Sequence, residues 1–232
     1  LNIEYQGLPA AATVEVKTAT ADRGISFQLD VMPVFMRGGC NTGSCHGAAR
    51  GKDGFRLSLF GFDPQGDYFR ITREMTTRRI NLAAPADSLL IEKSIGSVPH
   101  TGGKRFAADS ELNQTLLRWL EAGAPNDPAP TPAVVGVDLY PPSAVLEGEG
   151  ATQQFIARAR YADGTDRDIT SLATFMTNND NSAPISLDGL VTAAARGEAF
   201  IMAGSQTPAV ANQAPVLPKA WISPRPAVTG NY

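Results

Sequence analysis

Hydrophobic and polar positions change their period once along this chain. In the first half the apolar positions follow helical spacing in short runs. Phe27, Val31, Val34 and Phe35 predict one helix, with Ser26 placed to cap it and Gly38-Gly39 to end it. Pro33 lies inside this run and removes a backbone donor. Leu89, Leu90 and Ile91 predict a second short helix behind Asp87 as its cap. A third carries Leu112, Leu116, Leu117 and Leu120 on one face with Trp119 at its edge, opened by Ser110 or Asp109 and closed by Gly123 and Pro125. One interval reads differently. Phe55, Leu57 and Leu59 alternate with Arg56 and Ser58, a strand pattern, before the turn Asp63-Pro64-Gln65-Gly66.

Past residue 133 the period becomes two. Val135, Val137 and Leu139 predict one strand, and Phe155, Ala157 and Ala159, alternating with Ile156, Arg158 and Arg160, another. Asp163-Gly164 is a hairpin signal, and further short strands are predicted near 173–177, 190–194 and 198–203. Short strands at this spacing predict a small antiparallel sandwich. Between the two patterns, residues 124–133 hold four prolines and no large apolar side chain. The organisation read from these patterns is a lead-in over 1–25, a first domain over 26–125, a Pro-rich linker over 126–133, a second domain over 134–204 and an extended Pro-rich tail over 205–232.

Charge adds modest support. Residues 1–127 carry 14 basic and 14 acidic side chains, and residues 128–232 carry 6 and 9, so the net charge of −3 arises in the second half. A net acidic chain does not present the broad basic face that grips nucleic acid. No apolar run approaches the roughly 20 residues that span a bilayer, so no transmembrane segment is expected in this chain. Leu1 opens the chain without a charged-then-apolar leader, which reads as a mature chain or a fragment.

The cysteines change the picture most. Both lie in Gly39-Cys40-Asn41-Thr42-Gly43-Ser44-Cys45-His46, and the other histidine is His100. Two thiols followed at once by a histidine suit covalent haem attachment, with thioethers from Cys40 and Cys45 and the imidazole of His46 on the iron. The usual spacing leaves two residues between the cysteines, and here there are four, with Gly43 to fold the longer loop back. The sixth ligand comes from His100 or from a methionine, of which Met75 is best placed. Three other chemistries use the same residues. They are a Cys40–Cys45 disulfide, a zinc site from Cys40, Cys45, His46 and His100, and a pair of free redox thiols. Residues 50–79 carry seven basic side chains against four acids, and Arg78 or Arg79 is a candidate partner for haem propionates.

Several of these stretches resemble a known family. The run from Phe35 to Ala48 is similar to the haem-attachment segment of planctomycete-type cytochrome c domains, and Gly54 to Pro64 to their insertion. Arg78-Arg79-Ile80-Asn81, Asp87 to Lys93, Pro99-His100-Thr101-Gly102-Gly103 and Leu117 to Pro125 resemble the same family in the same order. Tyr161 to Thr170, Asp188 to Val191 and Gly197-Glu198-Ala199 resemble bacterial Ig-like domains of group 2. The resemblance implies an α+β multidomain chain: a small α-helical cytochrome c-like domain with a β-containing insertion, then an Ig-like antiparallel β-sandwich. It implies His46 as proximal and His100 as distal ligand of one haem c. The expected function is electron transfer without enzyme activity, to redox partner proteins or within a larger complex or homo-polymer, in the periplasm or outside the cell. The alternatives are a structural or adhesive envelope protein with the disulfide, and a haem enzyme or sensor with an open distal site.

Overall fold

The structure is a computed structural model of the whole chain, and it describes residues 2–5, 7–13, 23–75, 77–128, 130–204 and 209–218. Two strands, β1 (Asn2–Tyr5) and β2 (Leu8–Ala11), pair antiparallel within the segment read as a lead-in. A wide π-type turn over Phe27–Val31 runs into α1 (Met32–Arg37). Ser26 caps it as expected, its hydroxyl accepting from the Leu29 amide at 2.9 Å. Pro33 falls at the start of α1, where its missing donor is least costly. Gly39, at φ 67°, takes the left-handed position that ends the helix.

The next helices are α2 (Pro64–Thr72), α3 (Leu89–Ile95) and α4 (Glu111–Glu121). Asp63 caps α2 by accepting from Gly66, and Ser110 caps α4 by accepting from Asn113. The cap position of α3 belongs to Ser88 rather than Asp87, which lies in the short 3-10 turn before it. Trp119 is not at an edge. It is fully buried against Phe27, with ring centres 5.4 Å apart, and its indole donates to the Pro125 carbonyl at 2.9 Å. The first core gathers Phe27, Val31, Phe35, Leu57, Ile71, Ile91, Leu116, Trp119 and Leu120.

The second half holds β3 (Val134–Tyr140), β4 (Leu146–Glu147), β5 (Thr152–Gln154), β6 (Ile156–Tyr161), β7 (Asp166–Asp168), β8 (Thr174–Thr177), β9 (Leu190–Thr192), β10 (Phe200–Gly204), β11 (Ala209–Gln213) and β12 (Val216–Leu217). Their sheets are small: β3-β6-β7, β11-β10-β8, β5-β9 and the parallel pair β4-β12. The inward residues of all four surround a second core that includes Leu139, Leu146, Phe155, Ala157, Phe175, Val191, Ile201 and Val216. A register shift between Val134 and Gly136 turns Val135 outward, while Val137 and Leu139 are buried in the core and Val134 packs against it from the same strand. Strands β11 and β12 lie in the segment read as an extended tail, and β11 pairs with β10 over five residues.

The fold expectation is corrected. With 22% of the described residues helical and 26% in strands, the structure consists mostly of small sheets with few helices, and the expected haem-type helical domain is not what the first half forms, while the sheets of the second half leave the Ig-like sandwich open. The helices are 6 to 11 residues long. The insertion forms no strand, and its β pairing is one isolated antiparallel bridge between Lys52 and Phe55. Leu57 gives its amide to the His46 carbonyl at 2.8 Å instead of to a neighbouring strand, and a 3-10 turn and α2 follow.

One face of the first helical segment joins the halves. Asp30, 3% exposed, accepts from Arg23 and from Arg167, each at 2.6 Å. Seven residues on, Arg37 donates to the carbonyls of Thr170, Ser171 and Leu187 and pairs with Asp188 at 2.5 Å. Leu172 enters the first core and Leu29 packs on the second. Asp30→Ala takes the acceptor from the Ser26 amide and from two arginines, and Arg37→Met leaves three carbonyls without their donor, so each is expected to lose about 2 kcal/mol. Ser171→Ala, which gives up an exposed bond to Glu111, is expected to lose under about 1 kcal/mol. Urea titration of the three variants checks the ranking.

Candidate haem site

The site grows from the end of α1. After Gly39, the Cys40–His46 loop closes on itself: the Cys45 and Gly47 amides both donate to the Thr42 carbonyl at 3.0 Å, and the His46 amide to the Cys40 carbonyl at 3.0 Å. Asn41 is fully buried, its amide lying between the Phe35 carbonyl at 3.3 Å and the Gly61 amide at 3.1 Å. The four-residue spacing therefore has a structural use, since its first residue ties the loop to α1 and to the insertion. Gly47 is required sterically. A Cβ there falls 2.1 Å from the Asn41 carbonyl oxygen.

His46 and His100 face each other. Their ring centres are 6.2 Å apart and their planes differ by 7°. His46 Nδ1 lies 2.9 Å from the Phe55 carbonyl, and His100 Nδ1 lies 2.9 Å from the Gly103 carbonyl. A carbonyl oxygen only accepts, so in each ring Nδ1 carries the proton and Nε2 keeps its lone pair. Burial holds the His46 imidazole below its ordinary value, nearby His100 adds to this, and the Phe55 carbonyl and Asp53 oppose it. Neutral imidazoles with oriented second-shell carbonyls are the form in which histidine binds a metal. An imidazole nitrogen binds a transition metal at about 2.0 Å, which puts two imidazole centres about 6 Å apart across one ion.

The rings open into a cleft with about 1190 Å³ of atom-free space, counting its mouth. Its walls are largely apolar, from Phe35, Phe55, Leu57, Leu89 and Leu90, and Cys40 and Cys45 line it from the Cys40–His46 loop. Both cysteines are free thiols, which corrects the disulfide alternative. Burial pushes the Cys40 thiol up to about 11, the opposite of the depressed value that a redox or nucleophilic thiolate needs. Among the described residues no three His, Cys, Asp or Glu side chains are placed to hold a metal ion, so the four-ligand zinc set is not assembled. Two imidazoles leave the remaining positions of an ion to other donors, which the four nitrogens of a porphyrin supply. The donor set fits haem.

The arginines divide. Arg78 is exposed and lines the cleft. Arg79 is buried, and its guanidinium donates to the Arg70, Glu74 and Gly54 carbonyls at 2.8, 2.5 and 2.9 Å while lying 4.6 Å from the centre of the Phe55 ring. Three of its donors hold the turns around the loop whose carbonyl orients His46, so it acts as a clamp there, and it also lines the cleft. Met75 also lines the cleft, at φ 48° and 63% exposed, but the ring opposite His46 belongs to His100. Sequence reasoning missed Phe55, Lys52, Lys93 and Arg105, which share the cleft. Lys93 and Arg105 lie close to His100 in sequence, and that cationic flank was the signal for them.

No family model matches the chain, and no curated protein matches it. Among solved structures it is similar in part to surface layer protein SbsC, domains 1-6, at 14% identity and a TM-score of 0.32, over 38% of this chain and 13% of that one. Domains 5-6 of the S-layer protein SbsC match at 15% identity and a TM-score of 0.32, over 38% of this chain and 45% of that one. This chain spans less than half the length of either. At these scores the chemistry of the site rests on its own residues. Among the described residues no helix is long and apolar enough to cross a membrane.

Two expectations follow for the haem-free chain. Unfolding lets His46 take up a proton near 6.5, whereas the folded ring resists protonation to lower pH. The stability this contributes is complete above that value and falls as pH drops through it. Urea midpoints measured from neutral to mildly acidic pH should show the slope, and His46→Gln should reduce it. Gly47→Ala is expected to cost about 2 kcal/mol or more, because backbone must shift to admit the methyl group. Thermal melting reads that loss.

Proposed function

We propose that this chain is an electron carrier holding one haem c, linked through Cys40 and Cys45 and bound on its two faces by His46 and His100. The observation that supports this most is the pair of near-parallel imidazoles 6.2 Å apart, each fixed in the same tautomer by a backbone carbonyl. A haem bound there supplies reversible one-electron exchange between ferric and ferrous iron, at a lower potential than a His/Met pair gives.

The chain's own residues account for the remaining requirements. Cys40 and Cys45 are unpaired thiols at one edge of the cleft. Phe55 packs on His46 with ring centres 4.7 Å apart, limiting its rotation. Leu57 and Leu90 keep the inner wall dry, and Arg78 and Lys52 bring positive charge to the mouth for two propionates. With a side chain on each face, no position remains for substrate, and the reading is a carrier rather than an enzyme. Its partners are redox proteins or neighbouring subunits of a larger assembly. Haem attachment to Cys-Cys-His motifs takes place outside the cytoplasmic membrane, so this reading puts the chain in the periplasm, on the cell surface or beyond it.

Intact mass tests the proposal. Co-expressed with a haem-attachment system, the chain should gain the mass of one haem, and Cys40→Ala/Cys45→Ala should not. His100→Met should keep the haem and raise its reduction potential. A chain that leaves such a host at its bare protein mass contradicts the reading.

A further inference from the structure

The loop carrying His100 is short of ties to the segment carrying His46. Its internal bonds join His100 to Gly103 in both directions, through Nδ1 and through the Gly103 amide. Outward, Lys93 reaches the Pro99 carbonyl at 3.2 Å and Thr101 reaches Asp53 at 3.4 Å, both exposed. Among the described residues the remaining hydrogen-bonded tie is Arg105. Its Nε donates to the Gly38 carbonyl at 2.6 Å and one terminal nitrogen donates to the Gly102 carbonyl at 3.0 Å. Gly38 stands two residues before Cys40, and Gly102 two residues after His100.

The surroundings are shaped to this guanidinium. A Cβ on Gly39 falls 2.6 Å from the other terminal nitrogen of Arg105, and a Cβ on Gly102 falls 2.9 Å from the His100 ring. Both glycines leave the room that this bridge and this ring position require. The Arg105 amide donates to the Ser94 carbonyl at 2.8 Å, so α3 fixes the root of the side chain. A planar fork reaching two carbonyls on separate loops sets the distance between those loops, which the single ammonium of lysine does not do.

We propose that Arg105 is the positioning residue of the site: it holds the His100 loop against the end of α1 and so sets the separation of the two imidazoles. This rests on the haem reading for its consequence at the iron, but the tie itself belongs to the protein alone. Loss of the fork lets the His100 loop swing away while the covalent links at Cys40 and Cys45 and the ligand His46 stay in place.

The test uses the full chain in two forms, with Arg105→Gln, Arg105→Lys and, as a control on the exposed tie, Thr101→Ala. In the haem-loaded chain, Arg105→Gln is expected to bind carbon monoxide in the ferrous state about ten-fold faster than the parent, with a visible loss of the low-spin spectrum. Arg105→Lys should fall between them, and Thr101→Ala should match the parent. Melting temperatures of the variants separate this from general loosening, and if Arg105→Gln does not fold, Arg105→Lys carries the comparison. In the haem-free chain, amide exchange at Gly103 is expected to quicken in Arg105→Gln by about ten-fold. Carbon monoxide binding and Gly103 exchange both at the parental rate would overturn the proposal. If the parent takes up no haem, the electron-carrier reading fails, and the exchange measurement alone decides whether Arg105 ties the loop.

Discussion

The site depends on one constraint: a backbone carbonyl can only accept a hydrogen bond. The Phe55 and Gly103 carbonyls sit 2.9 Å from the Nδ1 atoms of His46 and His100, and each thereby fixes the tautomer of its ring. Much of the surrounding structure serves to hold those two carbonyls and two rings in place. Arg79 secures the Gly54 carbonyl and lies against Phe55, the Cys40–His46 loop closes on Thr42, and Gly102 leaves room for the His100 ring. A side chain that only filled space at these positions would leave Nε2 without a defined role.

The second half takes part in the same arrangement. Asp30 and Arg37 project toward it from one helical segment that ends at the Cys40–His46 loop. Arg37 is three residues from Cys40, so the segment that docks the sheets also presents the first thiol. The Pro-rich stretch between the halves therefore connects parts that are clamped together. Asp127, at the start of that stretch, accepts from the Phe27 and Gln28 amides at 3.0 and 2.7 Å and ties it back to the same segment. A freely swinging spacer is not what these bonds describe.

The legible parts of the sequence were those governed by local chemistry. Ser26 and Ser110 cap because a hydroxyl before a helical run meets orphan amides, and the Asp163-Gly164 turn lies between β6 and β7 for reasons contained in two residues. His46 is legible because it follows Cys45 directly, and His100 because it is the second of two histidines. The misread parts depend on partners far along the sequence. Phe55, Leu57 and Leu59 alternate like a strand, yet the Leu57 amide is taken by His46, and Leu59 remains exposed. Nothing in the basic run over 50–79 separates Arg79 from Arg78 as a candidate propionate partner, because the three carbonyls that Arg79 binds come from separate turns. Trp119 was put at a helix edge because leucines filled the apparent face, and the aromatic contact with Phe27 lies 92 residues away. The fold class failed for a similar reason: short helical runs gave no measure of how much chain between them is irregular.

The relative orientation of the two imidazoles is the sharpest consequence of this account, and electron paramagnetic resonance of the ferric, haem-loaded chain reads it directly. Ring planes 7° apart predict a rhombic low-spin signal, the pattern of two parallel imidazoles on one iron. A high-spin signal would mean that His100 is not a ligand. The single large-anisotropy feature of crossed imidazole planes would mean that the two rings are not held as this structure holds them, and either result would contradict the account.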